Sequence, residues 1–165
     1  MLCSGSVPET GIDKCMDIKS AEERSRNMAK IRATNTKPEL FIRSELHKRG
    51  YRFRVNSKLV EGHPDIFFSK KKIAIFVHGC YWHRHAGCRF AYTPKSNQDF
   101  WLKKFASNIE RDGIVIRNLR NEHIRVLIVW ECSTKRMMSD YAVRQDYLEK
   151  IEAFINNEGL QFAEL

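Results

Sequence analysis

Residues 65–78 read DIFFSKKKIAIFVH, and this stretch decides the fold. Two apolar runs flank the polar turn SKKK at 69–72, which is the pattern of a β-hairpin with a buried second strand. In an antiparallel hairpin centred on that turn, residue 65 lies opposite residue 76. The pattern therefore predicts that Asp65 and His78 sit at the same open end of a sheet, within reach of one small site.

Helix and strand patterns continue on both sides of this hairpin. Thr36-Lys37-Pro38-Glu39 has the form of a capping box and begins a predicted helix over residues 37–49. Periodicity predicts four more elements: a strand over 51–55 with one basic face, a helix over 97–120 with Gly113 as a candidate break, an apolar strand over 124–130 and an amphipathic helix over 143–154. Strand, helix and strand in that order form a parallel crossover unit. The sequence therefore predicts an α/β fold.

Length and charge indicate one domain with a polyanionic partner. The chain has 165 residues and a formal net charge of +9. We interpret residues 21–157 as a single domain between a mobile tail at 1–20 and a C-terminal tail at 158–165. The basic charge favours nucleic acid as the partner. Because the sequence has neither a long apolar run nor a secretory signal, we expect no membrane span and a cytoplasmic location.

Cysteine and histidine residues form a candidate metal site. Cys80, His85 and Cys88 have the spacing C-x4-H-x2-C, and Cys132 follows the next core strand. If the two strands are parallel neighbours, Cys80 and Cys132 emerge at the same edge of the sheet. Three thiolates and one imidazole make the closed tetrahedral set of structural zinc. His83 is a competing fourth ligand, and free buried cysteines are the alternative.

A carboxylate and two histidines form a candidate catalytic site. Pro64-Asp65 places a carboxylate at the start of the hairpin. Hydrolysis of a phosphodiester needs a ligand for a hard cation and a base that activates water. Asp65 supplies the first, and His78 or His83 supplies the second. Pro-Asp alone is a common turn pair, so the prediction depends on the histidines at the same end.

Several separated motifs resemble those of the very-short-patch repair (Vsr) DNA mismatch endonucleases. The resemblance extends over about residues 22–135 and leaves both ends of the chain outside it. The motifs are RSRNM at 24–28, NTKPE at 35–39, the Pro-Asp pair at 64–65, HGCYWH at 78–83, FWL at 100–102, NIERD at 108–112 and VWEC at 129–132.

The resemblance implies a restriction-endonuclease-like fold, with a mixed central sheet flanked by helices and a structural zinc. It also implies Mg²⁺-dependent nicking of DNA 5′ to the T of a T·G mismatch. By position, Asp65 is the Mg²⁺ ligand and His78 and His83 are the acid/base candidates. Glu39 falls on a family residue near the active site, although the capping box alone would explain it. The zinc positions correspond to Cys80, His85, Cys88 and Cys132.

Two departures from the family pattern affect these roles. Val77 stands where the nuclease superfamily carries a second acidic ligand, so its main-chain carbonyl would have to complete the Mg²⁺ shell. Tyr81 replaces a more usual Phe. Asp112 on the long helix is placed to orient one histidine, and a helix-surface salt bridge is an equally simple role for it.

Aromatic residues resemble the wedge by which the family opens the base stack beside a mismatch. They are Tyr81, Trp82 and Trp101, and by the same resemblance Met28 enters from the minor-groove side. For Trp101 the alternative is a core position, in an apolar stripe with Phe105 and Ile109.

Two other functions are compatible with these residues. One is a non-catalytic, zinc-containing module that binds mismatched DNA, because Val77 supplies no second acidic side chain. The other is a sequence-specific restriction endonuclease on the same fold. We expect a monomer whose substrate is double-stranded DNA with a T·G mismatch and whose partners are mismatch-repair proteins.

Overall fold

The computed structural model describes residues 22, 23, 26 and 34–165. The chain divides into two units, Met1–Ile31 and Arg32–Leu165. In the first unit Glu22, Glu23 and Arg26 are described, and all three are helical and exposed. The predicted tail at 1–20 and the predicted DNA contact Met28 lie outside the described residues. Everything below concerns the second unit, which starts later in the chain than the predicted domain.

The described part of this unit contains four helices and five strands. In chain order they are α1 (Lys37–Lys48), β1 (Arg54–Val55), β2 (Ile66–Phe68), β3 (Ile73–His78), α2 (Gln98–Asn121), β4 (Arg125–Trp130), α3 (Glu131–Ser139), α4 (Tyr141–Asn156) and β5 (Phe162–Glu164). Helix α2 runs through Gly113 without a break. Helix α3 was not predicted, because β4 passes directly into it without a polar turn. In the described residues no helix has the length and apolar composition that crossing a membrane requires.

The strands form one mixed sheet in the order β1-β2-β3-β4-β5. Strands β1, β2 and β3 are antiparallel neighbours, whereas β3, β4 and β5 run parallel. Ile66 pairs with Ile75, which confirms the predicted hairpin register. The predicted C-terminal tail is wrong for residues 162–164, because the main chain there pairs with β4 as an edge strand.

Side chains alternate between the two faces of the sheet and build a core on each. Ile73 and Ile75 of β3 pack in one cluster with α1, α3 and α4. Ala74 and Phe76 pack in the other cluster with Leu119 of α2. All six residues of β4 are buried. The sheet is therefore covered by helices on both faces, and the carboxyl ends of β3 and β4 are held in fixed positions.

The start of α1 differs from the predicted capping box. Thr36 is the N-cap residue, but its side chain makes no cap hydrogen bond. Its hydroxyl instead donates to Oε1 of Glu39 at 2.7 Å, and the main-chain N–H of Asn35 donates to Oε2 at 2.8 Å. Because Glu39 also accepts from a guanidinium described below, its carboxylate does more than cap the helix.

Candidate active site and metal centre

A cleft of about 690 Å³ opens at the end of the sheet where β2 begins and β3 ends. Six residues predicted from the sequence line it together. They are Glu39, Asp65, Val77, His78, His83 and Asp112. The topology thus brings the candidate acid, base and metal-ligand positions into one site.

The loop before β2 depends on glycine where it approaches α2. Gly62 has φ of +76°, a left-handed conformation that disfavours larger residues. A Cβ added there would lie 2.4 Å from Cγ1 of Val115. This close approach positions the following Pro64 and Asp65 at the edge of the cleft.

Pro64 explains why Val77 offers main-chain groups to this site. Counting on from the Ile66–Ile75 pair, Val77 lies opposite Pro64. The N–H of Val77 donates to Oδ2 of Asp65 at 2.8 Å. In an extended strand the C=O points to the same side as the N–H of that residue, and proline has no N–H to donate to it. The Val77 carbonyl therefore points from β3 toward the segment that contains Asp65, and it receives no main-chain hydrogen bond from Pro64.

Asp65 lies in a buried group of charges. Nη2 of Arg43 lies 3.6 Å from Oδ1 of Asp65 and 3.1 Å from Oε2 of Glu39. Burial raises the pKa of Asp65 to about 6, which the Val77 N–H and Arg43 oppose and Glu39 reinforces. A divalent cation would favour the ionised carboxylate. Asp65 and the Val77 carbonyl therefore offer hard oxygen ligands on the same side of β3, and oxygen is the ligand type that Mg²⁺ prefers.

The two predicted acid/base histidines stack on each other. The rings of His78 and His83 are 3.8 Å apart with 11° between their planes. Nδ1 of His83 lies 2.5 Å from Oδ2 of Asp112. Burial opposes ionisation of Asp112, but hydrogen bonding and charge from His83 outweigh it and lower the pKa of this carboxyl. Burial, with the neighbouring His83, lowers the pKa of His78 to about 3.

His78, His83 and Asp112 lie close enough together to form a metal-ligand set, but the ring geometry is unsuitable. Imidazole lone pairs lie in the ring plane. Because the two rings are nearly parallel and 3.8 Å apart, an ion in the plane of one ring is far from the plane of the other. This cluster is therefore better suited to holding and moving a proton than to binding a metal.

A separate cluster holds the predicted zinc ligands. The cluster consists of Cys80, His85, Cys88 and Cys132. Each residue contributes one ligand atom, and these four atoms all lie within 4.8 Å of one another. Nδ1 of His85 lies 3.7 Å from Sγ of Cys80 and 3.3 Å from Sγ of Cys132. Zinc bonds of about 2.0–2.3 Å at tetrahedral angles place ligand atoms about 3.5–3.8 Å apart. The donor set and its spacing therefore fit a tetrahedral zinc ion.

The same geometry resolves which histidine belongs to this cluster. His83 points to Asp112, whereas His85 lies between the thiols and stacks on Trp130 at 4.2 Å. Burial raises the pKa of Cys80 to about 12, so a thiolate at this position needs a bound cation. Cys132 belongs to the first turn of α3, so the cluster links the loop after β3 to the end of β4.

Aromatic rings form a partly exposed group beside the cleft. Tyr81 packs against Trp82 and Trp101 with centroid distances of 5.1 and 5.8 Å. The amide of Asn108 donates to the main-chain oxygen of Trp82 at 3.1 Å, which fixes the loop on α2. Phe105 is buried beneath these rings. The alternative interpretation placed Trp101 in an apolar core stripe with Phe105 and Ile109. This stripe does not continue to Ile109, which is 51% exposed.

Comparison with known proteins decides the family. Residues 16–89 match the family described as DNA mismatch endonuclease Vsr. The chain is 36% identical over 145 residues to DNA mismatch endonuclease Vsr of Escherichia coli K12, which covers 87% of this chain and 90% of that protein. The chain belongs to the Vsr family of DNA mismatch endonucleases. It is therefore a DNA endonuclease, as its motifs predicted.

Other relatives are named as nicking enzymes. The Type II nicking enzyme V.NmeAIP of Neisseria meningitidis serogroup A is 44% identical over 119 residues, or 72% of this chain and 84% of that protein. The Type II nicking enzyme V.XorIIP of Xanthomonas oryzae pv. oryzae is 45% identical over 116 residues, covering 70% and 85%. The similarity to these two nicking enzymes therefore extends over at least 70% of this chain.

Two polar residues at the cleft were not predicted from the Vsr motifs. Arg43 and Asn56 contact each other at 3.0 Å, and Asn56 lines the cleft. One signal for Arg43 was available, because it follows Glu39 by four positions and so lies on the same face of α1. Asn56 had no comparable signal in the sequence.

Proposed function

We propose that this chain is a Mg²⁺-dependent endonuclease that nicks DNA 5′ to the T of a T·G mismatch. The observation that carries the proposal is the convergence of Asp65, the Val77 carbonyl and the His83–Asp112 pair in one cleft. Phosphodiester hydrolysis requires these groups: oxygen ligands for a hard cation, and a base beside them. The Vsr relationship supports DNA as the substrate.

Asp65 and the main-chain carbonyl of Val77 would hold the Mg²⁺ ion. When bound, Mg²⁺ stabilises negative charge that develops on the phosphate oxygens. Pro64 makes a carbonyl ligand reasonable at a position where the side chain is apolar, because no proline N–H competes for that oxygen. This geometry favours the enzyme over the non-catalytic binding module that Val77 alone left open.

His83 is the proposed general base. Asp112 stays ionised and accepts a hydrogen bond from Nδ1–H of His83, which leaves Nε2 to take a proton from the attacking water. His78 is neutral because burial holds its pKa near 3. Its stacked ring limits the orientations of His83 and excludes water from one of its faces.

The cluster of Cys80, His85, Cys88 and Cys132 is proposed to bind structural zinc. With the ion bound, the loop between β3 and α2 is attached at both Cys80 and Cys88 to the beginning of α3. Tyr81, Trp82 and His83 all lie inside this attached loop. Zinc would therefore fix the base and the aromatic group in one rigid segment. The proposed zinc site and the mixed five-stranded β-sheet flanked by helices both support the restriction-endonuclease-like fold that Vsr membership implies.

The aromatic group is proposed to open the base stack beside the mismatch. Tyr81, Trp82 and Trp101 are each partly exposed next to the cleft. Unstacking a base step costs a few kcal/mol and costs least where the base is mispaired. Stacking on an aromatic side chain returns about 1–3 kcal/mol per base. A mismatch is therefore opened at lower net cost than a paired step.

A nicking assay on a panel of end-labelled duplexes tests this function. The panel contains T·G, every other mismatch and the fully paired sequence, each in several flanking contexts with Mg²⁺. We expect one nick, on the T strand 5′ to the mispaired T. Equal nicking of the paired duplex would favour a sequence-specific enzyme, and binding without any nicking would favour the non-catalytic module. Mismatch-repair proteins as partners stay a prediction.

A further inference from the structure

Arg43 is a buried cation next to the cleft. Its side chain is 7% exposed and projects from α1. A guanidinium has five N–H donors, and here Nε, Nη1 and Nη2 make four hydrogen bonds. The acceptors are the main-chain oxygen of Asp65 at 3.2 Å, Oδ1 of Asn35 at 2.7 Å, Oε2 of Glu39 at 3.1 Å and Oδ1 of Asn56 at 3.0 Å.

These acceptors come from four separate places in the chain. Asn35 precedes α1, Glu39 lies on it, Asn56 follows β1, and Asp65 precedes β2. Glu39, Asn56 and Asp65 line the cleft. One planar group therefore joins three segments of the cleft wall.

Arg43 also acts on the side chain of Asp65. Oδ2 of this carboxylate accepts from the Val77 N–H, and Oδ1 lies 3.6 Å from Nη2 of Arg43. The Glu39 carboxylate lies on the same guanidinium nitrogen. The two carboxylates repel each other, and Arg43 supplies the opposite charge beside both of them.

We propose that Arg43 is a positioning residue of the nicking centre, which holds the Asp65 main chain and the Glu39 carboxylate at the geometry that catalysis needs. This inference rests on the proposed function. It deepens that function by assigning a role to a residue whose four hydrogen bonds go to other residues of the protein. A lysine could supply the charge but not the planar fork, because its single ammonium cannot reach four acceptors spread around a guanidinium.

Substitution of Arg43 tests the inference, with a control residue at the C-terminal end of the same helix. Arg43→Met removes charge and fork, and Arg43→Lys retains the charge alone. Arg49→Met is the control, because Arg49 forms a 2.8 Å ion pair with Glu152 outside the cleft. For each protein, binding to a T·G duplex is measured in Ca²⁺. The single-turnover nicking rate is then measured in Mg²⁺ and expressed per bound complex.

If Arg43 is a positioning residue, its substitution should lower the nicking rate without lowering the affinity for DNA. A displacement of about 1 Å costs about 100-fold in rate, so we expect at least that loss for Arg43→Met and about tenfold for Arg43→Lys. DNA affinity should stay within about threefold for both. Arg49→Met should retain the wild-type rate per bound complex. If Arg43→Met does not fold, Arg43→Lys and Asn56→Ala, which removes one acceptor, still report on the fork.

The inference would be overturned if Arg43→Lys nicked at the wild-type rate per bound complex and either Arg43→Met or Asn56→Ala did so too. A fall in the thermal stability of these variants would not change that conclusion. The proposed specificity fails separately. If the wild type nicks another duplex better than T·G, the rates of the variants are compared on that duplex and the Arg43 inference is still tested. If the wild type nicks no duplex, both proposals are overturned.

Discussion

Nδ1 of His83 lies 2.5 Å from Oδ2 of Asp112, and this pair joins the loop after β3 to helix α2. The pair also separates the two histidines in function. His83 has a carboxylate partner that fixes its tautomer, whereas His78 is buried and neutral beneath it. The choice between His78 and His83 as the base, which the sequence left open, is thereby decided in favour of His83 in our proposal.

Asp112→Asn should abolish most of the nicking. An amide can donate as well as accept, so it no longer holds the proton on Nδ1 of His83. General acid–base catalysis contributes about 10²–10⁴-fold, and we expect a loss in that range in single-turnover nicking. Asp99→Asn, an exposed change in the first turn of the same helix, is the control. Nicking by Asp112→Asn at the control rate would exclude His83 as the oriented base.

Pro64→Ala should weaken the response to Mg²⁺. The alanine introduces an N–H opposite Val77, and this donor can bond the carbonyl that we assign to the metal. We expect the Mg²⁺ concentration for half-maximal nicking to rise several-fold, with DNA binding unchanged. Pro94→Ala, in the loop before α2, is the matched control. An unchanged Mg²⁺ titration would show that the Val77 carbonyl is not a ligand.

Removal of one zinc ligand should destabilise the protein and release the aromatic loop. We expect the purified chain to contain one zinc ion by elemental analysis and Cys132→Ser to contain much less. Loss of about 3–5 kcal/mol of stability corresponds to a fall of about 10 °C in Tm for a chain of this size. Cys15→Ser, outside the predicted cluster, is the control. Full stability of Cys132→Ser without metal would contradict a structural zinc site.

Trp82→Ala should weaken binding to mismatched DNA more than binding to paired DNA. The loss of one stacking contact costs about 1–3 kcal/mol, which is about 5- to 150-fold in Kd. Tyr141→Ala is the control, because Tyr141 is 72% exposed on α4, which packs on the other face of the sheet. Equal losses on mismatched and paired duplexes would show that Trp82 is not part of a mismatch-opening wedge.

The parts of the fold that local sequence pattern specifies were predicted. The polar turn at 69–72 sets the hairpin register, and the apolar run of β4 identifies a buried parallel strand. Strand β5 was missed because Phe162–Glu164 is short, mostly exposed and held by main-chain pairing with β4. Short edge strands carry little hydrophobic signal of their own.

The candidate site was predictable where residue type alone indicates chemistry. Cysteines, histidines and the Pro-Asp pair identify themselves by spacing, and the topology brings them together as expected. Arg43 was missed because three of its four partners lie 8, 13 and 22 positions away, and only its spacing of four from Glu39 is a local signal. The role of Pro64 likewise emerges only when the register places it opposite Val77.

The most direct test of the central claim is Mg²⁺-dependent nicking of a T·G duplex by the wild type and by Asp65→Asn. Asparagine keeps the size of the side chain but removes the charge that binds the cation. We expect the wild type to nick the T strand and Asp65→Asn to lose at least about 1,000-fold in rate, since metal stabilisation is worth several kcal/mol. Asp146→Asn, an exposed aspartate on α4, should nick normally. Full nicking by Asp65→Asn would contradict the account.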